Sequence, residues 1–310
     1  MAFDLYFAGS PVEETTETIR KLSACQLLSQ LNDRKKLESW APYMREHPEC
    51  KCKVFADSGA FSAWTLGKKI DVENYIDFIN RNSDWLFKAA SVDCIPGKPK
   101  STEVPTKEQV DEAAHQTWEN FLYMRSKLND KSKLLWTYHF GEDPKWLKQA
   151  LDFEDEFGKI DYIAFGGLVG KGKDAVEVFL RSCFQIINAS NHKDIKTHAF
   201  GVTIPSLLQA FPLTSSDSTA WIMYAVNGGL YLDGKITRIT ELSVGDSSHF
   251  VNKNKAIQDL LMEHINKWGF KWEDLVNDYK QRECFNIYAF KEMYDKYEYK
   301  GSMGYKPDLF

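Results

Sequence analysis

The sequence contains no long uninterrupted run of apolar residues. A membrane-spanning helix needs about 18 such residues in succession, and no stretch approaches that length. Residues 1–10, MAFDLYFAGS, also lack the basic segment and the apolar stretch of a secretory signal. These absences argue against a membrane or secreted protein, and we expect an intracellular, cytoplasmic one.

The cysteines lack the spacing of a disulfide framework or of a metal site. Only Cys50 and Cys52 lie close together, and a lone CxC without a neighbouring CxxC or histidine pair falls short of a tetrahedral zinc set. We therefore interpret the cysteines as ordinary thiols in a reducing compartment, and we expect no metal.

The chain also lacks an excess of basic residues, since its net charge is −5. Nonspecific capture of nucleic acid depends on lysines and arginines that neutralise phosphates, so this composition argues against binding driven by overall charge. Short basic loops are nevertheless present, with Lys98 and Lys100 in one and Lys171 and Lys173 in another. A solvated loop is the simpler interpretation of each pair.

No repeat, low-complexity tract or long linker interrupts residues 1–245, which favours one continuous domain. Short runs rich in β-forming residues recur along it, separated by segments with helical periodicity. This alternation predicts an α/β fold with a parallel sheet, and the number of repeats favours closure into a TIM-like (β/α)8 barrel. The runs are LYFAG (5–9), VFAD (54–57), LFKAASV (86–92), LLWTYHF (134–140), YIAFGG (162–167) and THAFGV (197–202).

The pattern changes beyond residue 222. GGLYLDGKITRIT (228–240) predicts a hairpin that turns at Asp233 and Gly234, and apolar residues at helical spacing follow it. We assign residues 1–245 to the barrel and residues 246–310 to a helical C-terminal extension packed on it.

In a parallel barrel the carboxyl ends of the strands converge on one mouth, where catalytic groups lie. Carboxylates at such ends suit glycosidic-bond chemistry with retention, because one can attack the anomeric carbon while another moves a proton. Taken singly, an aspartate after a strand is more often a helix cap. The residues at or just beyond the predicted strand ends are Asp57, Asp93, His139, Gly166, Gly167, Phe200, Gly201 and Asp217.

Three motifs, in family order, resemble those of the guanine transglycosylase superfamily. DSGAF (57–61) resembles the DSGGF motif of tRNA-guanine transglycosylases, and FGGLVG (165–170) resembles their GGLAVG motif. AFGVTIPSLLQAF (199–211) resembles the segment that precedes their nucleophilic aspartate, and SSDSTAW (215–221) falls where the nucleophile motif belongs. The resemblance spans residues 54–221.

The resemblance implies a pentosyltransferase in which Asp217 is the nucleophile and Asp57 the general acid/base. It implies that Asp93 reads the N1 and amino edge of guanine, although the family has two acids before its cysteine and this chain has one before Cys94. The remaining contacts that it implies are with the base: Phe61 and Phe200 on its faces, Gly166 and Gly167 at its edge, with Gly201 beside them, and His139 where the family has a glutamine.

Each of the base contacts has a plainer alternative. Phe61 and Phe200 are equally well interpreted as core aromatics, because phenylalanine is common beside barrel strands. His139 has the alternative of a histidine whose hydrogen bonds are satisfied within the barrel. The carboxylates are better supported, because Asp57 and Asp217 both lie in matched motifs.

Two departures from the family separate this chain from the tRNA-directed enzymes. It lacks their CxCxxC and histidine zinc site after the barrel, and residues 218–221 are STAW where an LPTR-like sequence would follow the nucleophile. The chain therefore resembles the DNA-directed branch of phages and some bacteria, which inserts 7-deazaguanine derivatives into DNA. This implies DNA and a free 7-deazaguanine base as partners, tRNA less so, no cofactor, and action in the cytoplasm, that of the host if phage-encoded.

The two basic loops follow strand ends, where their lysines are placed to hold the phosphate backbone. Two other functions stay open at this stage. A hydrolase would use water in place of the incoming base, and a non-catalytic partner subunit would only bind nucleic acid. Retention of both Asp57 and Asp217 argues against the second alternative.

Overall fold

The computed structural model describes residues 3–9, 11–99 and 103–301. Lys100, one of the predicted phosphate contacts, lies outside these residues. In the described part of the chain the strands are β1 (Asp4–Ala8), β2 (Cys25–Ser29), β3 (Val54–Asp57), β4 (Lys88–Ala90), β5 (Leu134–His139), β6 (Glu154–Asp155), β7 (Gly158–Lys159), β8 (Tyr162–Gly166), β9 (Lys196–Ala199), β10 (Ser215–Ser218), β11 (Gly229–Leu232) and β12 (Lys235–Arg238).

Helices lie between and after these strands. They are α1 (Glu13–Lys21), α2 (Arg34–Glu46), α3 (Ala60–Leu66), α4 (Val72–Arg81), α5 (Lys107–Lys127), α6 (Pro144–Asp152), α7 (Lys173–Ala189), α8 (Pro205–Ala210), α9 (Ala220–Val226), α10 (Lys255–Lys267), α11 (Trp272–Asn277) and α12 (Tyr279–Asp295). None of the helices in the described ranges combines the length and apolar character needed to cross a bilayer.

Parallel strands close into a barrel in the order β1-β10-β9-β8-β5-β4-β3-β2. The first strand pairs with both β2 and β10, so the two ends of the barrel sequence meet at one seam. The predicted TIM-like (β/α)8 fold is confirmed. The short antiparallel pair of β6 and β7 lies outside the barrel sheet.

The barrel contains two strands that were not among the predicted runs, β2 and β10. The sequence of β10 is SSDS, which has no apolar residue, yet all four residues are buried. Burial of such a strand is possible because its polar groups are paired: the hydroxyl of Ser216 donates to the carbonyl of Ala199 at 2.6 Å. A pattern search for apolar runs cannot find a strand of this kind.

Side chains fill the barrel interior. A cluster of buried residues there is separate from the larger core between the strands and the surrounding helices. Its largest members are Tyr6, Phe55 and Tyr162, and Phe200 packs against it from above. The interior is therefore a packed core, closed below the mouth.

The hairpin after the barrel is formed by β11 and β12, with Asp233 and Gly234 at φ of 47° and 78° in its turn. Helix α12 then packs against α9, β11 and α1. Asn286 of α12 fixes this contact, since its side-chain amide donates to the carbonyl of Trp221 at 3.1 Å and accepts from the N–H of Tyr231 at 2.8 Å. The hairpin and the helical extension are as predicted.

Candidate active site

The carboxyl ends of the barrel strands bring the predicted acidic residues to one mouth. Asp57 is the last residue of β3, Asp93 follows β4, and Asp217 lies in β10. The negative charges of Asp93 and Asp217 both raise the pKa of Asp57, so both lie within electrostatic range of it at this mouth. Residues far apart in the sequence thus share one small volume.

The pKa of Asp57 is shifted strongly towards neutrality. Burial raises its pKa most, and the negative charges of Asp93 and Asp217 raise it further, to about 7, although the N–H of Gly59 donates to its Oδ2 at 3.1 Å and acts in the opposite direction. An aspartate with a pKa near neutrality can give up and take back a proton at physiological pH.

Asp217 is held from one side. The backbone N–H of Gly201 donates to its Oδ1 at 2.8 Å, and Nε2 of the buried His198 lies 3.3 Å from the same oxygen. Among the described residues no hydrogen bond reaches Oδ2 of Asp217. One carboxylate oxygen is therefore fixed, and the other is available at the mouth of the barrel.

His139 lies between two carboxylates. Its Nε2 is 3.2 Å from Oδ2 of Asp93, and its Nδ1 is 2.9 Å from Oε1 of Glu142. Burial by itself lowers the pKa of His139, but the charge and hydrogen bond of Asp93, together with Glu142, outweigh it and raise the pKa to about 10. The side chain is consequently an imidazolium at neutral pH.

Both ring nitrogens of His139 are engaged in these contacts, which favours a role in orienting Asp93 over a direct contact with a base. Oδ1 of Asp93 is buried and has no hydrogen-bond partner among the described residues. A buried acceptor without a partner is costly, so this atom is the natural contact for a donor on a bound ligand.

The glycines at the end of β8 make room for these side chains. A β-carbon on Gly166 would lie 2.6 Å from Cδ2 of His139, so a larger residue would displace the imidazole. The carbonyl of Gly166 already accepts from the N–H of Phe140 at 3.0 Å. The predicted base contact of this loop therefore falls more naturally on Gly167, which has a φ of 70°.

The two aromatic residues predicted to enclose a base lie in different environments. Phe200 is partly buried, and its ring is 4.6 Å from that of His198 and 6.1 Å from that of Phe55. Phe61 is on α3 with 68% of its surface exposed, beside the ring of Trp64 at 6.0 Å. Phe200 thus packs at the mouth of the barrel, whereas the ring contact of Phe61 is with Trp64 of its own helix.

The lysines of the basic loops are at the surface. Lys98 is exposed in the loop after β4, and Lys173 is the exposed first residue of α7. The ammonium group of Lys171 lies 5.0 Å from the centre of the Phe140 ring. These side chains rim the same end of the barrel, and none of them enters the carboxylate cluster.

Sequence reasoning missed two residues that contact the predicted side chains, Glu142 and His198. Glu142 follows His139 at a spacing of three residues, and its carboxylate also accepts from the N–H of His139 at 3.0 Å. His198 precedes Phe200 by two residues, so the alternation of a strand places both side chains inside the barrel. Both signals were present in the sequence, but neither residue type at that spacing points to a ligand by itself.

Within the ranges that the structure describes, no group of three or more histidine, cysteine, aspartate and glutamate side chains is arranged to hold a metal ion. No protein-family model matches the chain, and no curated protein matches it. The likeness to guanine transglycosylases therefore depends on the quoted motifs and on the positions of their residues in the barrel.

Proposed function

We propose that the protein is a guanine transglycosylase that exchanges guanine in a polynucleotide, in the first place DNA, for a free 7-deazaguanine derivative. The observation that carries the proposal is the shared mouth of Asp57 and Asp217, two carboxylates in contrasting settings. Asp57 has a pKa raised to about 7, whereas Asp217 has one oxygen fixed by donors and one free. Retaining glycosyl transfer requires one carboxylate that attacks the sugar and a second carboxyl group that gives and takes a proton.

The first half of the reaction opens the glycosidic bond. The target nucleotide leaves its stack and enters the mouth, as it must for an enzyme that acts on a base within a polymer. Oδ2 of Asp217 attacks C1′, the bond from C1′ to N9 breaks, and its electron pair leaves with the guanine. The proton of Asp57 neutralises the departing base, so a covalent glycosyl-enzyme and free guanine result.

The second half reverses these steps with another base. The incoming 7-deazaguanine loses its N9 proton to the carboxylate of Asp57, and N9 then attacks C1′ and releases Asp217. Two inversions give net retention at C1′. Asp57 ends the cycle protonated, as it began, and no redox step occurs.

The neighbouring groups support recognition of a purine-like base. Oδ1 of Asp93 is an unpartnered buried acceptor, suited to the N1 and amino donors of guanine, and His139 fixes its orientation through the other oxygen. Phe200 offers a ring at the mouth for one face of the base. Lys98, Lys171 and Lys173 are placed around the rim for phosphates.

The test uses labelled guanine and labelled 7-deazaguanines with cyano or aminomethyl substituents, each incubated with the full chain and duplex DNA, single-stranded DNA or tRNA. We expect label in DNA. Label in tRNA alone would indicate that tRNA, and not DNA, is the substrate. Release of guanine without incorporation would indicate a hydrolase.

The covalent step has its own control. Asp217→Asn should abolish both exchange and the glycosyl-enzyme seen by intact-protein mass spectrometry after acid quenching. Asp233→Asn should leave both unchanged, since Asp233 lies in the hairpin turn at a positive φ that asparagine also adopts. Exchange at the wild-type rate by Asp217→Asn would eliminate covalent catalysis.

A further inference from the structure

A chain of hydrogen bonds runs through the barrel interior beneath Asp217. The hydroxyl of Tyr162 is 2.6 Å from Oγ of Ser215, which is 2.7 Å from Nδ1 of His198. Nε2 of His198 is in turn 3.3 Å from Oδ1 of Asp217. The chain links three strands, β8, β9 and β10, and the side chain of His198 is 0% exposed.

The direction of this chain follows from donor and acceptor counts. An ionised Asp217 only accepts, so Nε2 of His198 must carry the proton that it shares with Oδ1. In a neutral imidazole Nδ1 is then an acceptor, so Ser215 donates to it, and Tyr162 donates to Ser215. Each proton of the chain then has an acceptor within it. Burial raises the pKa of Tyr162, which keeps that hydroxyl protonated as the first donor.

A protonated His198 fits these partners less well. Nδ1 would then donate to Ser215, and the proton of either Ser215 or Tyr162 would be left without an acceptor in the chain. Aromatic rings also surround the imidazole, with Phe200 at 4.6 Å, Phe55 at 5.1 Å and Tyr6 at 5.8 Å. The hydrogen-bond count therefore favours a single ring proton, placed on Nε2.

We propose that His198 is the positioning residue for Asp217, held by Ser215 and Tyr162 as a neutral donor that fixes Oδ1 and leaves Oδ2 to form the glycosyl bond. The role in catalysis rests on the proposed function above. His198 does not touch the substrate in this account, because it lies below Asp217 in the closed interior. When the ester forms at Oδ2, Oδ1 becomes its carbonyl oxygen, and His198 continues to donate to it.

The kinetic test measures single-turnover formation of the glycosyl-enzyme and the KM for DNA. His198→Leu removes the donor at similar volume, and we expect the covalent step to slow about 10- to 100-fold with KM unchanged. His198→Gln should recover most of this loss, because its side-chain amide can place an N–H near Nε2. Ser215→Ala should fall between the wild type and His198→Leu. Wild-type rates in His198→Leu would overturn the proposal.

A matched control separates this role from packing. Thr197→Val, like Ser215→Ala, removes a buried hydroxyl, but the hydroxyl of Thr197 has no hydrogen-bond partner among the described residues. The covalent step in Thr197→Val should therefore be as fast as in the wild type. Should His198→Leu fail to fold, Ser215→Ala and Tyr162→Phe test the same chain. If Thr197→Val slowed the covalent step as much as Ser215→Ala, the loss would be explained by packing alone, which would contradict the proposal.

A spectroscopic test needs no activity. Long-range ¹⁵N–¹H correlation spectra of the labelled full chain should show His198 as the neutral Nε2–H tautomer, assigned by the signals missing in His198→Gln. Ser215→Ala should shift it towards the Nδ1–H tautomer. An Nδ1–H tautomer or an imidazolium in the wild type would overturn the proposal. If the wild type exchanges no base but shows the Nε2–H tautomer, the proposed function fails while the positioning of Asp217 stands.

Discussion

The backbone N–H of Gly201 donates to Oδ1 of Asp217 across 2.8 Å, from a residue with a φ of 70°. The loop that follows β9 is therefore tied directly to the carboxylate in β10. A β-carbon on Gly201 would also lie 2.7 Å from Cγ2 of Val169 in the loop after β8. Three neighbouring strands thus contribute to the setting of one side chain.

Gly201→Ala should impair exchange. Alanine costs about 1 kcal/mol at this φ, and its β-carbon must displace the loop of Val169, which moves the N–H away from Asp217. We expect at least tenfold slower exchange, measured under single-turnover conditions. Gly170→Ala is the matched control, because it has a φ of 79° and nothing within 4 Å of the new β-carbon. Equal rates in the two variants would rule out the contact with Val169 as the cause.

The exchange rate should have its maximum near pH 7. Asp57 has to be protonated when guanine leaves and ionised when the incoming base arrives, and its pKa is raised to about 7. Guanine release should therefore decline as the pH rises through 7, and incorporation should decline as the pH falls below 7. Quenched-flow measurement of each half-reaction from pH 5 to pH 9 tests this, and a flat profile for guanine release would contradict it.

Asp57→Asn should make the protein more stable at high pH. The folded-state pKa of Asp57 lies above its ordinary value of 3.8, so this group lowers stability progressively as the pH rises from about 3.8 to about 7. We expect the free energy of unfolding to increase by roughly 2 kcal/mol at pH 8 and to change little at pH 4, as measured by urea titration. Asp84→Asn should not stabilise at pH 8, because Asp84 pairs with Arg45 and its pKa is lowered.

His139→Gln should destabilise the protein more near pH 6 than near pH 10. The pKa of His139 is raised from 6.5 to about 10, so its contribution to stability is complete below pH 6.5 and is lost as the pH rises through 10. We expect a loss of about 3 kcal/mol at pH 6, where a buried ion pair is broken, and a smaller loss at pH 10. His115→Gln, at an exposed histidine of α5, should change stability by less than about 0.5 kcal/mol at either pH.

The lysines of the loop after β8 should contribute to DNA affinity through charge alone. Replacing both Lys171 and Lys173 by alanine removes two candidate phosphate contacts, so the slope of log K against log salt should fall by up to about 2. Replacing Lys253 and Lys255, at the start of α10, is the control with the same charge change. Fluorescence anisotropy with a DNA duplex at several salt concentrations distinguishes them, and equal slopes for both pairs would contradict a specific role of the mouth loop.

Much of the fold could be predicted because apolar periodicity is a local property of the sequence. Strand β3 has the predicted limits. Helix α5 begins with a capping box, a local pattern in which Thr106 and Gln109 bond each other's backbone. Strand β10 could not be predicted from such a pattern, since Ser215 and Ser216 are buried through hydrogen bonds to residues of other strands.

The candidate site could be predicted in part. The sequence predicted Asp57, Asp93 and Asp217 at strand ends, two of them in matched motifs, and the structure brings all three to one mouth. The pairing of His139 with Glu142 and the position of His198 below Asp217 depend on which strands are neighbours in the barrel. Strand order is a property of the closed fold, and no local pattern encodes it.

The seam between β1 and β10 has a consequence for when activity can arise. Asp217 belongs to the last barrel strand and finds its place only when that strand inserts between β1 and β9. A nascent chain that has already built the strand bearing Asp57 still lacks its partner. The candidate site is thereby completed only when the last barrel strand is in place, so a chain that stops before β10 carries Asp57 without Asp217.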